Sequence, residues 1–404
     1  MRVLLCHTYY RQRGGEDQAF EDEQWLLESN GHEVITYSRR NDELTDASRL
    51  TQARKTIWNR EAHAEVREMI RSHQPDLMHC TNSFPLLSPS ILHAAHEESI
   101  AVVQSLRNYR LICPAAVLMR DGKVCEKCVG KRLQLAAVKH GCYQGSRAAT
   151  LAIAGLNAFH RLRGTWTETV DHFLTLTEFA RNKFIESGIP AEKISIKPNM
   201  AYPDPGVGHN KTNHAIFVGR LSPEKGIETL LNAWEKLSSP VELHIVGDGP
   251  LMELVRAAAE RQPLIKVHGQ LPFQETCQKI QEAGFLIMPS IWYETFGRTT
   301  MEAFATGTPV IASRLGAMEE LVTENKTGWL FAPGNADELA ACVEKLSRAD
   351  ETRVRMGAAA RIEFEQRYVP EVSYQALIDI YEKALANRDA RRPSPEAAGH
   401  AVCP

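Results

Sequence analysis

Short apolar runs, mostly of five or six residues, alternate with longer amphipathic segments along most of the chain. The runs are rich in Val, Ile, Leu and Phe, a pattern typical of strands buried on both faces of a parallel sheet. The segments between them carry apolar residues at helical spacing, as in 227–237. This alternation predicts an α/β protein with doubly wound parallel sheets. The predicted strands are 2–7, 33–38, 76–80, 100–106, 172–177 and 194–197, followed by 215–219, 242–247, 265–269, 285–289 and 309–313.

The pattern breaks at 199–213, where two Pro and two Gly fall in a stretch without periodicity. We interpret this stretch as the junction of two Rossmann-like domains, 1–203 and 204–370. A last helix is predicted at 371–386, and the Pro-, Arg- and Ala-rich tail 387–404 is expected to be disordered. Because ligands of open α/β sheets bind beyond the carboxyl ends of the strands, we expect the site in a cleft between the two domains.

The composition excludes several classes of protein. Of 404 residues, 43% are apolar and 24% charged, which excludes a disordered, fibrous or coiled-coil chain. With 47 basic and 50 acidic side chains and a net charge of -3, nucleic acid is not an expected partner. No apolar run reaches the roughly 18 residues of a membrane span. The apolar start of the chain lacks the features of a signal peptide, so we expect a cytoplasmic protein whose nine cysteines are free thiols or metal ligands.

The loop after the first strand contains Gly14-Gly15 immediately before a predicted helix. Two glycines there could let backbone amides approach a phosphate, and a simple turn is the alternative interpretation. The first strand is not followed by G-x-G-x-x-G, and the chain has no G-x-x-x-x-G-K-[ST]. Their absence disfavours a dinucleotide-dependent dehydrogenase and a P-loop enzyme.

The loop after strand 215–219 carries Arg220 and Lys225 on either side of a predicted helix start, with Ser222 as its cap. Two cations at the positive end of a helix could clamp a diphosphate. The alternative is a pair of ordinary surface cations. Their position directly after a strand favours the clamp.

The loop after strand 285–289 carries Glu294, and the helix that follows carries Glu302. Seven residues separate the two carboxylates, and either could accept hydrogen bonds from a sugar diol. A solvated surface pair is the alternative, which the apolar neighbours of Glu302 disfavour. The amides at the start of that helix, which could stabilise phosphate charge, belong to Phe296, Gly297, Arg298 and Thr299.

At these residues the sequence resembles the family-4 retaining glycosyltransferases of the GT-B fold, in which two Rossmann-like domains face each other across a cleft. The resemblance covers roughly residues 1–386. Its C-terminal motifs are the Glu294–seven–Glu302 arrangement, Val218-Gly219-Arg220 with Glu224-Lys225-Gly226, Val246-Gly247-Asp248-Gly249-Pro250, and 305–313 (ATGTPVIAS). Its N-terminal motifs are Thr177-Glu178-Phe179 and Lys197-Pro198-Asn199.

The resemblance implies a UDP- or GDP-sugar donor held mainly by the C-terminal domain, with Gly219 in its first motif. It implies no metal or other cofactor for catalysis. Gly15 would let the N-terminal domain close over the phosphate, and the last helix would cross back to that domain. The implied contacts are Arg220 and Lys225 on the diphosphate and leaving group, Glu302 on the ribose, and Glu294, Phe296 and Gly297 on the donor sugar, with Arg220, Lys225 and Glu294 acting in catalysis.

One position departs from the family pattern. After strand 100–106 many relatives carry a His that approaches the donor sugar, and this chain has Arg107 there. A guanidinium does not act as a general base. It could instead hold a donor-sugar oxygen or an acceptor phosphate.

Residues 107–163 form an insertion in which Cys113, Cys125, Cys128 and Cys142 lie within 30 residues. Their spacing, with one C-x-x-C pair, is compatible with a structural zinc site. Four unligated cytosolic thiols, with the C-x-x-C a coincidence or redox-active, are the alternative. A bound metal would fold a loop too polar to build its own core.

The insertion is also strongly basic, with 11 Lys and Arg against Asp121 and Glu126, a net +9. Its segment 147–163 is apolar in the middle and basic at its ends. Such a surface suits an anionic membrane face, contacted peripherally, or a lipid-diphosphate acceptor. A buried helix with snorkelling cations is the alternative.

Together these features predict an enzyme that moves a sugar from a nucleotide-sugar to a saccharide or lipid-linked saccharide in cell-envelope or exopolysaccharide synthesis. One alternative is another GT-B nucleotide-sugar enzyme, such as an epimerase. Another is a non-catalytic sugar-nucleotide-binding scaffold protein, which the departure at Arg107 keeps open.

Overall fold

A computed structural model describes residues 1–11, 14–44, 48–209 and 211–391. In chain order its strands β1–β14 are Arg2–Tyr9, Glu33–Arg40, Leu77–Asn82, Ala101–Leu106, Met119–Arg120, Lys123–Val124, His172–Thr175, Ile194–Ile196, His214–Val218, Glu242–Val246, Ile265–Gly269, Phe285–Met288, Val310–Ser313 and Gly328–Phe331. Its helices α1–α15 are Gly15–Ser29, Arg49–Ile57, Arg60–His73, Ser90–Glu97, Leu135–His140, Arg147–Leu162, Glu178–Glu186, Ile227–Glu235, Met252–Arg261, Phe273–Glu282, Arg298–Ala305, Ala317–Leu321, Ala336–Ser347, Asp350–Arg367 and Pro370–Arg391.

The strands form two six-stranded parallel sheets, ordered β2-β1-β3-β4-β7-β8 and β11-β10-β9-β12-β13-β14. In each sheet the strand order reverses beside the first strand, which opens a crevice at the carboxyl ends. The predicted doubly wound architecture is therefore confirmed. The central strands β3 and β4 are buried along their whole length, as their unbroken apolar runs indicate.

Strand β14 was not predicted from the sequence. Its four residues begin at Gly328 and follow the polar turn 324–327, so they form too short an apolar run to stand out. They pair with β13 at the edge of the second sheet. Tertiary pairing, rather than a local signal, defines this strand.

The last helix, α15, packs on β4 and β7 of the N-terminal domain. Its Tyr381 is buried and lies 2.9 Å from His79 on β3. The expectation of disorder from Asn387 onward is wrong for residues 387–391, which complete the helix. Asn387 donates to the Asp171 carbonyl, and Arg391 pairs with the Asp171 carboxylate at 2.7 Å. The rest of the tail, 392–404, lies outside the described residues.

The insertion 107–163 contains the two-stranded antiparallel hairpin β5–β6 and the helices α5 and α6, which pack against each other. The first residues of the insertion join the core of the N-terminal domain through Tyr109, Ile112 and Leu118. Among the described residues, no helix is both long and apolar enough to cross a membrane.

Candidate active site

The loop between β12 and α11 lies at the carboxyl end of a central strand of the second sheet. Gly297 immediately precedes α11 with φ +88°, a conformation that favours glycine. A Cβ at this position would come 2.4 Å from the Met318 methyl group. Gly297 therefore lets the chain turn sharply into the helix, so that the N-terminal amides of α11 face the cleft.

Glu294 is buried in this loop, and three donors converge on its Oε1 atom. Lys225 Nζ lies 2.7 Å away, Ser290 Oγ 2.6 Å and Trp292 Nε1 2.9 Å. Lys225 also lies over the Trp292 ring, 5.2 Å from its centroid. These contacts fix the carboxylate and bring the predicted diphosphate cation and the predicted sugar carboxylate into direct contact.

Glu302 lies one turn into α11 and is also buried. Arg298 Nε, four residues earlier on the same helix, donates to its Oε1 at 3.1 Å. Burial raises the pKa of Glu302, and the Arg298 guanidinium opposes that rise. The carboxylate is thus desolvated beside one cation, an environment in which a sugar hydroxyl would be a strong hydrogen-bond partner.

Arg298 also connects the two domains. Its Nη1 atom donates to Asp22 Oδ2 on α1 at 2.9 Å. Two further contacts cross the cleft near Glu294: the Tyr109 hydroxyl to the Glu294 carbonyl at 3.4 Å, and Thr177 Oγ1 to the Thr295 carbonyl at 3.3 Å. Asp22 was not predicted from the sequence, because an acidic residue on an amphipathic helix carries no local signal of a partner in another domain.

The loop after β9 differs in one respect from the sequence prediction. Residues Pro223–Lys225 form a short 3-10 turn, and α8 begins only after Gly226. Ser222 does not cap a helix with its side chain and instead donates to Glu224 Oε1 at 2.6 Å. A Cβ on Gly226 would come 1.9 Å from the Pro289 carbonyl oxygen, so only glycine allows this turn to pack against the end of β12.

Arg220 and Lys225 stand at the two ends of this segment in different environments. Lys225 is engaged by Glu294, as described above. Arg220 is exposed at the end of β9, and among the described residues no carboxylate pairs with its guanidinium. Arg220 is thus free to bind an anion in the cleft, as the clamp requires.

The N-terminus of α1 is organised by a buried pair that the sequence analysis missed. Asp17 accepts from the Gly14 amide at 3.0 Å and from the Tyr10 amide at 3.3 Å. Its Oδ1 atom lies 2.9 Å from His7 Nε2 on β1. Burial alone would raise the pKa of Asp17, but these hydrogen bonds outweigh it and the pKa is lowered. An acidic residue three positions after Gly14 is the sequence signal that could have identified this cap.

Gly15 is the first residue of α1, and no described residue lies within 4 Å of a Cβ built there. The described part of the chain therefore leaves open space at the N-terminus of this helix, near the carboxyl end of β1. Residues 12 and 13 of the same loop lie outside the described residues.

Arg107 is held inside the N-terminal domain. Its side chain is 2% exposed, with Nη2 at 2.6 Å from Glu23 Oε1 and Nη1 at 2.6 Å from Asn199 Oδ1. Lys197 Nζ lies 3.2 Å from the same Glu23 oxygen. Burial would raise the pKa of Glu23, but Arg107, Lys197 and His79 lower it to about 2. That Arg107 also holds a sugar oxygen or a phosphate stays a prediction, and its observed partners are protein groups.

The remaining predicted residues of this region have distinct placements. Phe296 is buried, with its ring 5.8 Å from that of Tyr368. Thr299 lies in the first turn of α11, and its hydroxyl contacts the Met288 sulfur at 3.7 Å. The Gly219 amide donates to the Val246 carbonyl at 3.0 Å, at the carboxyl ends of neighbouring strands. Phe296 and Thr299 therefore contribute to this region through side-chain packing, and Gly219 contributes through a backbone hydrogen bond.

The four cysteines of the insertion line one small cavity of about 20 Å³. Among the described residues, no three His, Cys, Asp or Glu side chains are already arranged to hold a metal ion. Burial raises the pKa of Cys128 to about 11 and that of Cys142 above its usual range. Burial therefore favours the protonated form of the Cys128 and Cys142 thiols. The position of the four cysteines around one cavity fits a structural zinc site. Zinc binding by Cys113, Cys125, Cys128 and Cys142 stays a prediction.

Residues 205–363 match the model of the family described as glycosyl transferases group 1. The chain is 28% identical over 229 residues to the amylovoran biosynthesis glycosyltransferase AmsK of Erwinia amylovora, covering 52% of this chain and 56% of that protein. It is 29% identical over 242 residues to a phosphatidyl-myo-inositol mannosyltransferase of Mycobacterium leprae, covering 56% and 63%. The chain spans about half the length of the curated relatives it matches.

Two solved structures align with nearly the whole chain. Anabaena Alr3699/HepE in complex with UDP matches with a TM-score of 0.67 at 16% identity, covering 95% of this chain and all of that one. The sucrose-phosphate synthase of Thermosynechococcus elongatus matches with a TM-score of 0.71 at 16% identity, covering 95% and 99%. At these identities the likeness concerns the fold, and it confirms the predicted GT-B arrangement of two Rossmann-like domains.

Proposed function

This chain carries a glycosyl transferases group 1 domain at residues 205–363 within a GT-B fold, and from that premise we propose that it is a family-4 retaining glycosyltransferase. Its donor is a UDP- or GDP-sugar, and its acceptor is a saccharide or lipid-linked saccharide. The reaction is a step in the synthesis of the cell envelope or of an exopolysaccharide. It takes place in the cytoplasm or at the inner face of the membrane.

The observation that carries this proposal is the direct pairing of Lys225 with Glu294 beside the N-terminus of α11, where Glu302 is also held. A cation, two fixed carboxylates and free helix amides in one cleft match the parts of a nucleotide-diphosphate sugar. The ribose diol has an acceptor in Glu302, and the donor sugar has one in Glu294. The diphosphate has Lys225, Arg220 and the amides of α11.

In this arrangement, retention of the anomeric configuration requires electrostatic stabilisation of the departing diphosphate. It does not require a covalent nucleophile. Lys225 and Arg220 stabilise the negative charge that develops as the sugar–phosphate bond breaks. Glu294 orients the sugar through its hydroxyl groups while the acceptor attacks from the same face. These residues require no metal ion at the diphosphate, because the cations and amides already supply the positive charge.

The names of similar proteins support the substrate classes. The HepE structure contains UDP. AmsK is named an amylovoran biosynthesis glycosyltransferase, and the mycobacterial relative is named a phosphatidyl-myo-inositol mannosyltransferase. A nucleotide-sugar donor with a saccharide or lipid-linked acceptor is consistent with both.

The first test is thermal unfolding in the presence of UDP, GDP, ADP, CMP and NAD. A ligand at about 100 times its dissociation constant stabilises a fold by roughly 2.7 kcal/mol. We expect stabilisation by UDP or GDP alone, and its loss in the double variant Arg220→Gln, Lys225→Gln. The matched control removes two exposed cations away from the cleft, in Arg355→Gln with Lys266→Gln, and should keep the response. A well-folded protein that responds to no nucleotide would contradict the proposal.

Turnover separates the remaining alternatives. A transferase forms the glycosylated product only when an acceptor is present, whereas an epimerase converts the nucleotide-sugar into its epimer without one. Slow hydrolysis of the donor in the absence of acceptor is compatible with a transferase and excludes a non-catalytic scaffold. Nucleotide binding without any turnover, across a panel of donors, would instead favour the scaffold.

A further inference from the structure

Helix α6 presents an apolar stripe to solvent. Leu151 is 58% exposed and Leu162 is 87% exposed, and Phe159 lies between them on the same face. Positions 151, 155, 159 and 162 follow the three- and four-residue spacing of one helix face, and Gly155 is the only one of them without a side chain. The stripe runs along most of this 16-residue helix.

The opposite face of α6 is fully used. Ile153 and Leu156 are buried, and His160 is hydrogen-bonded to Thr165 and to the Ile57 carbonyl at 2.9 and 2.8 Å. One side of the helix is therefore packed into the domain, and its exposed leucines are not part of the core. A helix with apolar residues on two opposite sides, one buried and one exposed, indicates that the exposed side has a second binding partner.

Helix α5 and the residues before it extend the stripe. Leu133 is 59% exposed and Leu135 is 64% exposed. The segment lies against the C-terminal half of α6, because Asn157 Nδ2 donates to Gln134 Oε1 at 2.9 Å and Arg161 Nη1 donates to the Lys131 carbonyl at 2.6 Å. We call the exposed apolar residues of these two packed segments the α5–α6 face: Leu133, Leu135, Leu151, Phe159 and Leu162.

Exposed cations accompany these apolar residues on the same two segments. They are Lys131, Arg132, Lys139, Arg147 and Arg163. Within the part of the chain that the structure describes, none of them forms an ion pair with a carboxylate. Arg163 lies instead over the Trp58 ring at 4.9 Å. Positive charge on this face is therefore left for an external partner.

We propose that the α5–α6 face docks the protein peripherally on an anionic membrane, with its leucines in the interfacial region and its cations at the lipid headgroups. Apolar anchors ringed by Lys and Arg are the combination that binds anionic lipid, because burial of the leucines and attraction of the cations act together. A second copy of the chain is a poorer occupant, since a symmetric pairing would bring two unneutralised cation clusters together.

This proposal stands on the surface alone and does not require transferase activity. The test is co-sedimentation of the full chain with vesicles of equal parts phosphatidylcholine and phosphatidylglycerol, compared with phosphatidylcholine alone. We expect binding to the anionic vesicles that weakens as salt is added. Replacing Arg132 and Lys139 with Gln should lower the partition coefficient roughly twenty-five-fold, about fivefold for each cation.

A second variant tests the apolar part. Leu151→Ser with Leu162→Ser should lower the partition coefficient by roughly tenfold or more, because two interfacial anchors are lost. The matched control is Val354→Ser with Ile362→Ser, which changes two exposed apolar residues on α14 of the other domain and should bind as the unchanged protein does.

Three outcomes would overturn the proposal. The unchanged protein fails to prefer anionic vesicles, or the α6 variant binds them as well as the control variant does. Alternatively, sedimentation velocity shows a dimer that the α6 substitutions dissociate, which would assign the face to a second copy. Nucleotide-induced thermal stabilisation is measured on the same samples, so a failure of membrane binding is distinguished from a failure of the proposed donor site.

Discussion

Arg298 on α11 and Asp22 on α1 form an ion pair of 2.9 Å across the cleft between the two domains. The same guanidinium holds Glu302, the carboxylate assigned to the ribose, at 3.1 Å. The position of one domain is thereby linked to the environment of the donor site in the other.

A double-mutant cycle tests this cross-cleft pair. Asp22→Asn and Arg298→Gln, alone and together, should give a coupling energy of about 1–3 kcal/mol in urea unfolding, because both side chains are largely shielded from water. The exposed pair of Lys236 and Asp337 is the control, for which a coupling below about 1 kcal/mol is expected. Equal couplings for the two pairs would mean that the contact across the cleft does not persist in solution.

Glu302→Gln should weaken nucleotide binding. The variant keeps the size of the side chain but removes its charge, so a ribose diol loses a charged acceptor worth about 1–3 kcal/mol. Isothermal titration with UDP and GDP measures the change. Glu253→Gln, an exposed substitution on α9, is the control. Unchanged affinity in Glu302→Gln would remove Glu302 from the ribose site.

Arg107→Gln should destabilise the fold more than it impairs donor binding. The substitution leaves Lys197 as the remaining Lys or Arg paired with the buried Glu23, where the unchanged protein has both Arg107 and Lys197. Breaking a buried ion pair lowers the free energy of unfolding by about 3–5 kcal/mol. Urea unfolding and the KM for the donor are measured on the same variant. The exposed Arg314→Gln, which loses only a surface pair with Glu324, should change stability by less than about 1 kcal/mol. A stable Arg107→Gln protein with a raised donor KM would instead place Arg107 on the substrate.

The sequence predicted most of the fold because its signals are local. Unbroken apolar runs marked the buried strands. The turn at Gly226 was not predicted, because the close approach of the Pro289 carbonyl oxygen that requires glycine there exists only in the folded chain. The partners of Arg298 and Arg107 could not be predicted from the sequence, because Asp22 and Glu23 lie on a helix that contacts these arginines only in the folded chain. Edge strand β14 was missed for the same reason, since its pairing with β13 and not its composition defines it.

The cysteine cavity predicts a metal in the purified protein. Elemental analysis should find about one zinc per chain, and Cys125→Ser with Cys128→Ser should remove it and lower the thermal stability of the protein. Cys342→Ser, on α13 far along the chain from the cavity, is the control and should retain the metal. A wild-type protein without zinc or another metal would contradict the prediction and leave four free thiols around the cavity.

The buried His79 predicts a loss of stability in acid. Burial, together with Arg107 and Lys197, lowers its pKa from the usual 6.5 to about 4, although Glu23 opposes this. Between pH 6.5 and about 4 the unfolded chain binds a proton that the folded protein excludes, so this contribution to stability is complete above pH 6.5 and falls as the pH drops through that window. His79→Gln should flatten the slope of unfolding free energy against pH by up to about 1.4 kcal/mol per pH unit. Urea titrations at several pH values measure the slope, and the exposed His209→Gln is the control; equal slopes for His79→Gln and the unchanged protein would show that His79 is not held neutral by the fold.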